Sequence, residues 1–170
     1  MRRETLSTIR QSSKWVEILD DSFVPVLQSV AADPDPQVRR EVAGLAGYRW
    51  LWVPPAVPQD PNVIALMLQL SADSDREVRY NAVYYGLSVV RGKSEPVVRR
   101  LIRLAATDAD NDLFGRTVWG LKSGVDTTPP LFTRAWAAQW QNAGTDDEKA
   151  ALRRLYREVL GREPPAGPGR

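Results

Sequence analysis

Apolar residues recur along this chain with a helical period, not an alternating one. After Asp35, the residues Val38, Val42, Leu45 and Ala46 fall at i, i+4, i+7 and i+8, which places them on one helix face. The stretch before it, Phe23 to Ala32, carries Val26, Leu27 and Val30 with the same period. Asn62 to Ala72 repeats the pattern with Ile64, Leu66, Met67, Leu68 and Leu70, and Glu95 to Thr107 does so with Val97, Val98, Leu101, Ile102 and Leu104. Val-rich runs such as Ser88-Val89-Val90 are short and sit inside helical periods, so the pattern predicts an all-α chain.

The pattern is also repeated. Asp33-Pro34-Asp35-Pro36-Gln37-Val38-Arg39, Asp73-Ser74-Asp75-Arg76-Glu77-Val78-Arg79 and Asp108-Ala109-Asp110-Asn111-Asp112-Leu113-Phe114 align, at spacings of 40 and 35 residues. Each is an Asp-rich turn that opens a helix. An Asp there accepts free backbone N–H groups, worth about 1 kcal/mol, and further acids in the first turn suit the helix dipole. Every block follows another helical stretch, so the unit is helix, Asp-turn, helix. Pro130 to Asn142 and Asp146 to Leu160 form a fourth pair around the acidic start Gly144-Thr145-Asp146-Asp147-Glu148. The predicted pairs span about 22–52, 60–92, 94–124 and 129–161 in a single domain over 1–163. Leu6 to Leu19 is predicted as an N-terminal capping helix. Val53 to Pro61, with four prolines, is an irregular connection, and 164–170, rich in Pro and Gly, is an expected disordered tail.

Composition narrows the chemistry. The chain of 170 residues has no cysteine and no histidine. Disulfides, thiolate metal sites, imidazole-based triads and histidine-ligated metals are therefore excluded. Basic residues outnumber acidic ones by only 23 to 21, which does not by itself announce nucleic acid. Nineteen of the basic residues are Arg, the side chain suited to planar, bidentate contacts. No run reaches the roughly 18 apolar residues of a membrane span. Met1 to Ser7 has basic residues with no apolar run behind them, so a cytoplasmic protein is expected.

Several motifs look chemical and have plainer explanations. Gly92-Lys93-Ser94 resembles the end of a phosphate-binding loop, but the required earlier Gly is Leu87, so a turn is expected. Asp108 to Asp112 resembles the start of a calcium loop, but Leu113 and Trp119 stand where Gly and Glu are required, so helix capping is expected. No catalytic residue, metal ligand or cofactor site is assigned. Phe132, Trp136 and Trp140, spaced i, i+4 and i+8, fit a core or a lid on the last pair. Trp50 and Trp52 either pin the proline-rich connection or leave an apolar ridge.

The pattern Asp-x-Asp-x-x-Val-Arg-x-x-(Val/Ala)-(Ala/Val) resembles the HEAT repeat, in particular the short bacterial type. The resemblance covers Phe23 to Leu160. Phe114 stands where Arg is expected, and the fourth pair lacks the Val-Arg signature. It implies stacked antiparallel helix pairs in a right-handed α-solenoid, with the second helices lining a concave surface. It further implies that Arg39 reaches Asp73 and that Arg79 reaches Asp108 as a structural ladder.

Comparing second helices across repeats gives the columns Arg40/Tyr80/Gly115, Glu41/Asn81/Arg116 and Gly44/Tyr84/Trp119, read as positions between the buried ones. Arg40, Tyr48, Tyr80, Tyr84, Arg116 and Trp119 are thus the candidate partner-binding residues, since Tyr, Trp and Arg dominate binding hot spots. Arg99, Arg100 and Arg103 form a candidate phosphate-contacting edge, and Arg153, Arg154 and Arg157 a second basic edge. For these the competing reading is a solvated helix face. The leading functional reading is a non-enzymatic adaptor, inhibitor or assembly subunit that binds a protein or peptide. The alternative is a nucleic-acid-binding HEAT-like protein. Enzymes carry such repeats too, among them alkylpurine DNA glycosylases and bilin lyases, but no motif beyond the generic repeat points to them. The iron-dependent hydroxylases of this type use His-Glu pairs that this chain lacks.

Overall fold

Each Asp-x-Asp turn starts its helix by the same two-step device. The first Asp accepts the N–H of the second: Asp33 from Asp35 at 2.9 Å, Asp73 from Asp75 at 2.8 Å, and Asp108 from Asp110 at 3.2 Å. The second Asp then accepts a first-turn N–H of the helix: Asp35 from Gln37 at 2.9 Å, Asp75 from Val78 at 3.0 Å, and Asp110 from Asp112 at 2.9 Å. These are the donors a helix N-terminus leaves without partners. The calcium-like cluster at Asp108 to Asp112 belongs to this device. Asp60 caps its helix through Asn62 at 2.7 Å. Thr145 accepts from Glu148 while Glu148 reaches back to Gly144, close to a capping box.

The computed structural model describes residues 4, 5, 8, 20–122 and 129–165. Among them 73% are helical and none is in a strand, so the chain is all-α. The helices are α1 (Phe23–Val30), α2 (Pro36–Trp50), α3 (Pro61–Leu70), α4 (Arg76–Asn81), α5 (Glu95–Thr107), α6 (Asn111–Lys122), α7 (Pro129–Asn142) and α8 (Asp146–Leu160). The expected capping helix over Leu6 to Leu19 lies, Thr8 apart, outside the described residues, as do 166–170 of the expected tail. None of the described helices is long and apolar enough to cross a membrane.

The chain divides into two compact units, 1–90 and 91–170. In the first unit α1 packs on α2 and α3, and α2 packs on α3 and α4. In the second, α5 packs on α6, α7 and α8, and α8 packs on α6 and α7. First helices thus neighbour first helices, and second helices neighbour second helices, within each unit. The diagonal contact differs: α2 with α3 in one unit, α5 with α8 in the other.

Two expectations need correction. The second helix of the second pair does not run on as an α-helix. After Asn81 it widens into a π-helical turn, Ala82–Gly86, and then tightens into a 3₁₀ turn, Leu87–Val89. β-Branched and aromatic residues with a central Gly hold α-helix weakly there, and packing takes over. Gly44 is not in an outward column but buried, within an unbroken buried run from Val42 to Gly47. Neighbours on several sides of α2 close around its small residues Ala43, Gly44, Ala46 and Gly47, so burial exceeds one face.

Of the three α7 aromatics, Phe132 and Trp136 are core and Trp140 is half-buried. Phe132 and Trp136 are buried against Tyr156 of α8, at 5.9 and 4.8 Å between ring centroids, and the Trp136 Nε1–H donates to the Leu152 carbonyl at 2.8 Å. Trp50 is buried and donates to Asp21 at 3.0 Å, while Trp52 is exposed. Gln59 pins the proline-rich connection by donating to the carbonyls of Leu51 at 2.6 Å and Val89 at 3.1 Å. Gly92 adopts a left-handed φ of 53° in the turn before α5, and Lys93 beside it is buried.

Candidate functional site

Four tyrosines gather on the second helices of the first unit. Tyr80 stands next to last in α4, Tyr84 and Tyr85 stand on the π-helical turn, and Tyr48 stands near the end of α2. Tyr80 and Tyr84 stack with centroids 5.7 Å apart and planes 21° off parallel, and Tyr85 meets Tyr84 edge-on at 4.8 Å. These three are half-buried, and Tyr48 is 51% exposed. In the wide turn the Leu87 N–H reaches back to the Ala82 carbonyl, and turns of this kind are frequent at functional sites. Gly47 makes room for it. A Cβ at Gly47 would lie 2.5 Å from the Tyr85 carbonyl oxygen and 2.6 Å from its Cβ. A Cβ at Gly86 would lie 2.6 Å from Cγ of buried Met67 on α3. The turn that carries Tyr84 and Tyr85 is clasped between α2 and α3.

A double ion pair joins α2 to the turn before α4. Arg39 is bidentate to Asp73, Nε and Nη2 donating at 2.6 and 2.8 Å, and its Nη1 donates to the Asp33 carbonyl at 2.7 Å. Arg40 is bidentate to Asp75 at 2.9 and 2.8 Å. Arg39 thus takes the expected ladder partner. Arg40, read from the sequence as partner-binding, is committed to a carboxylate that also caps α4. Arg79 repeats Arg39's local contacts, donating to the carbonyls of Asp73 at 3.0 Å and Ser74 at 2.9 Å. Its expected partner Asp108 belongs to the other unit.

The Arg40 hydrogen bonds hold the Asp75 carboxyl down at about 2, and those of Arg39 lower Asp73. A depressed folded-state value contributes stability that is complete above the unfolded value of about 3.9 and is lost as pH falls through the folded one. Unfolding free energy is therefore expected to fall between about pH 4 and pH 2. Asp75→Asn is expected to remove part of that fall, because Asn still caps a helix but does not titrate. Urea titrations across this range would check it, and an identical acid profile for the variant would refute it.

In the second unit Arg116 lies over the Trp119 ring at 4.0 Å, and Trp119 is 40% exposed. The six residues proposed from the sequence therefore divide, with Arg40, Tyr48, Tyr80 and Tyr84 in one unit and Arg116 and Trp119 in the other. Of the phosphate-contacting candidates, Arg99 pairs with Glu95 at 2.6 Å, and Glu95 also accepts from Arg134 of α7 at 2.9 Å. Arg100 is held below its usual value, first by burial and then by repulsion from Arg103. On α8, Arg153 lies over Trp140 at 4.9 Å and Arg154 over Phe114 at 4.2 Å, while Arg157 faces Glu163 at 3.5 Å.

Sequence reasoning missed Tyr85, the clasp at Gly47 and the pairing of Arg40. The run Ala43-Gly44-Leu45-Ala46-Gly47 was the available signal for the clasp, since small residues in a helix mark close approach. Neither a family model nor a curated protein matches this sequence.

Proposed function

We propose that the chain is a non-enzymatic protein-interaction module, an adaptor or assembly subunit, built as a short right-handed stack of HEAT-like pairs. Its second helices present a partner-binding face. Like-with-like packing of first and second helices within each unit, the Asp-x-Asp helix starts and the Arg39–Asp73 pair support the repeat reading. The observation that carries the binding reading is the tyrosine group. Tyr48 on α2, Tyr80 on α4, and Tyr84 and Tyr85 on the turn that Gly47 and Gly86 clasp in place all stand outside the core. Rigid, amphipathic rings at low entropic cost suit peptide or helix recognition.

A nucleic-acid reading is less well supported. Arg39, Arg40, Arg99 and Arg134 are each engaged by a carboxylate, which a phosphate would have to displace.

Affinity capture from source-cell lysate, with wild type beside the Tyr80→Ala/Tyr84→Ala double variant, tests the proposal. A partner protein is expected to be depleted about tenfold on the variant, the loss of a hot-spot contact. Capture of nucleic acid with indifference to the tyrosines would overturn it. Circular dichroism of both proteins guards against loss of fold.

A further inference from the structure

From Trp52 to Pro58 the loop after α2 runs for seven residues without a charged, hydroxyl or amide side chain. All but half-buried Val53 are exposed, Trp52 at 47% and Val57 at 45%. An unbroken apolar run of this length on a surface marks a place that something covers. The run is also held in shape. Proline fixes the backbone at 54, 55 and 58, and the Val57 N–H closes a turn onto the Pro54 carbonyl at 2.9 Å. At one end the Trp52 N–H donates to the Gly47 carbonyl at 3.3 Å, and at the other Gln59 holds the carbonyls of Leu51 and Val89. These anchors sit at the tyrosine group. Gly47 precedes Tyr48 and abuts Tyr85, and Val89 lies four residues past Tyr85. The apolar loop and the tyrosines therefore adjoin.

We propose that this patch docks on a second copy of the chain, the loop of each protomer lying on the tyrosines of the other in a two-fold dimer. The proposal rests on the reading of the tyrosines as a binding face and names what they bind. The loop's chemistry selects its complement. Its prolines have no N–H and that of Val57 is engaged inside the turn, so the loop is poorly suited to pair as a strand and is recognised through rings and methyls. Aromatic side chains are the surface that receives proline-rich segments, and a loop already fixed loses little entropy on docking. One unit presents both halves side by side, and self-complementarity within a single patch is what a two-fold interface requires. Charge does not oppose it. A two-fold axis sets a patch against its own kind, so a net charge there would repel. From Tyr48 to Gln59 the one charged side chain is Arg49, which lies over the Trp50 ring at 5.4 Å. An anionic lipid surface fits less well, because carboxylates flank the loop: Asp21, bonded to Trp50, and Asp60 at the start of α3.

The patch is smaller than the roughly 20–30 residues a side of a standard interface, so a reversible dimer at micromolar concentration is expected. Sedimentation velocity of the full chain from about 1 to 100 μM tests this, with wild type expected to dimerise across that range. Trp52→Ser/Val57→Ser and Tyr48→Ala change exposed side chains, and each is expected to weaken association about tenfold. Because the chain has no cysteine, single Val57→Cys and Tyr48→Cys variants report position. Mixed under mild oxidation, they are expected to form a disulfide-linked dimer faster than either does alone. A chain that stays monomeric, association indifferent to either exposed-residue variant, or linkage no faster in the mixture would overturn the proposal. So would a monomer that binds anionic vesicles through Trp52. Tyrosine-dependent capture of another protein by a monomeric chain would sink the self-docking alone. Tyrosine-independent capture by a monomeric chain would sink both this and the tyrosine face.

Discussion

Trp136→Ala is expected to lower the unfolding free energy by about 4 kcal/mol, the upper part of the range for truncating a buried aromatic. The indole is 2% exposed, meets Tyr156 edge-on at 4.8 Å and stacks on Trp140 at 5.2 Å. Its Nε1–H is bound to the Leu152 carbonyl, in the middle of α8. Truncation removes that apolar area, opens a void in a close-packed interior and takes a donor from α8. Trp136→Phe keeps most of the ring and should cost less than half as much. Urea unfolding followed by circular dichroism would measure both. Similar midpoints for Trp136→Ala and wild type would mean that α7 and α8 do not hold each other through this ring.

Gly47→Ala and Gly115→Ala are expected to have opposite signs. Both glycines are helical, and Ala is a better helix former than Gly by about 1 kcal/mol. At Gly115 the new methyl meets nothing within 4 Å, so that gain should appear nearly in full. At Gly47 the methyl would lie 2.5, 2.6 and 2.7 Å from the carbonyl oxygen, Cβ and carbonyl carbon of Tyr85. Two of those atoms are main chain, so either α2 or the π-helical turn must move. Overpacking of this kind costs about 1–3 kcal/mol and outweighs the propensity gain. Gly47→Ala should also displace Tyr84 and Tyr85, which would show in their aromatic NMR shifts. A stabilised Gly47→Ala would mean that the turn yields freely and that the tyrosines are not rigidly held.

Helix starts were legible because they are local. An Asp immediately before the helix, a Thr with Glu three residues on, and proline at the first position each act within one turn, and α5 and α8 have the boundaries the pattern predicts. The Arg39–Asp73 pair was legible because repetition put both residues in view. The π-helical turn was not, because Ala82 to Tyr85 carries a helical period and only the approach of Gly47 and Met67 decides its width. The pairing of Arg40 was not legible for a related reason. Its place beside Arg39 looks outward on a helical wheel, but Asp75, identified only as a cap, has a second oxygen to offer. In the candidate site the tyrosines were legible as residue types. Their grouping depends on tertiary contact, and no spacing rule encodes that.

The two ion pairs between α2 and the Asp73–Asp75 turn are partly exposed, and pairs of that kind add little to net stability. Their geometry has another consequence. Adjacent arginines on a helix, turned about 100° from each other, meet aspartates separated by one residue on an extended turn. A slip of α2 by a single residue mismatches both pairs together and sets two arginines against carboxylates they no longer face. The arrangement therefore works as a two-pin key. It makes a one-residue misregister of α2 against the Asp73–Asp75 turn costly, and that selectivity counts for more than the strength of either pair.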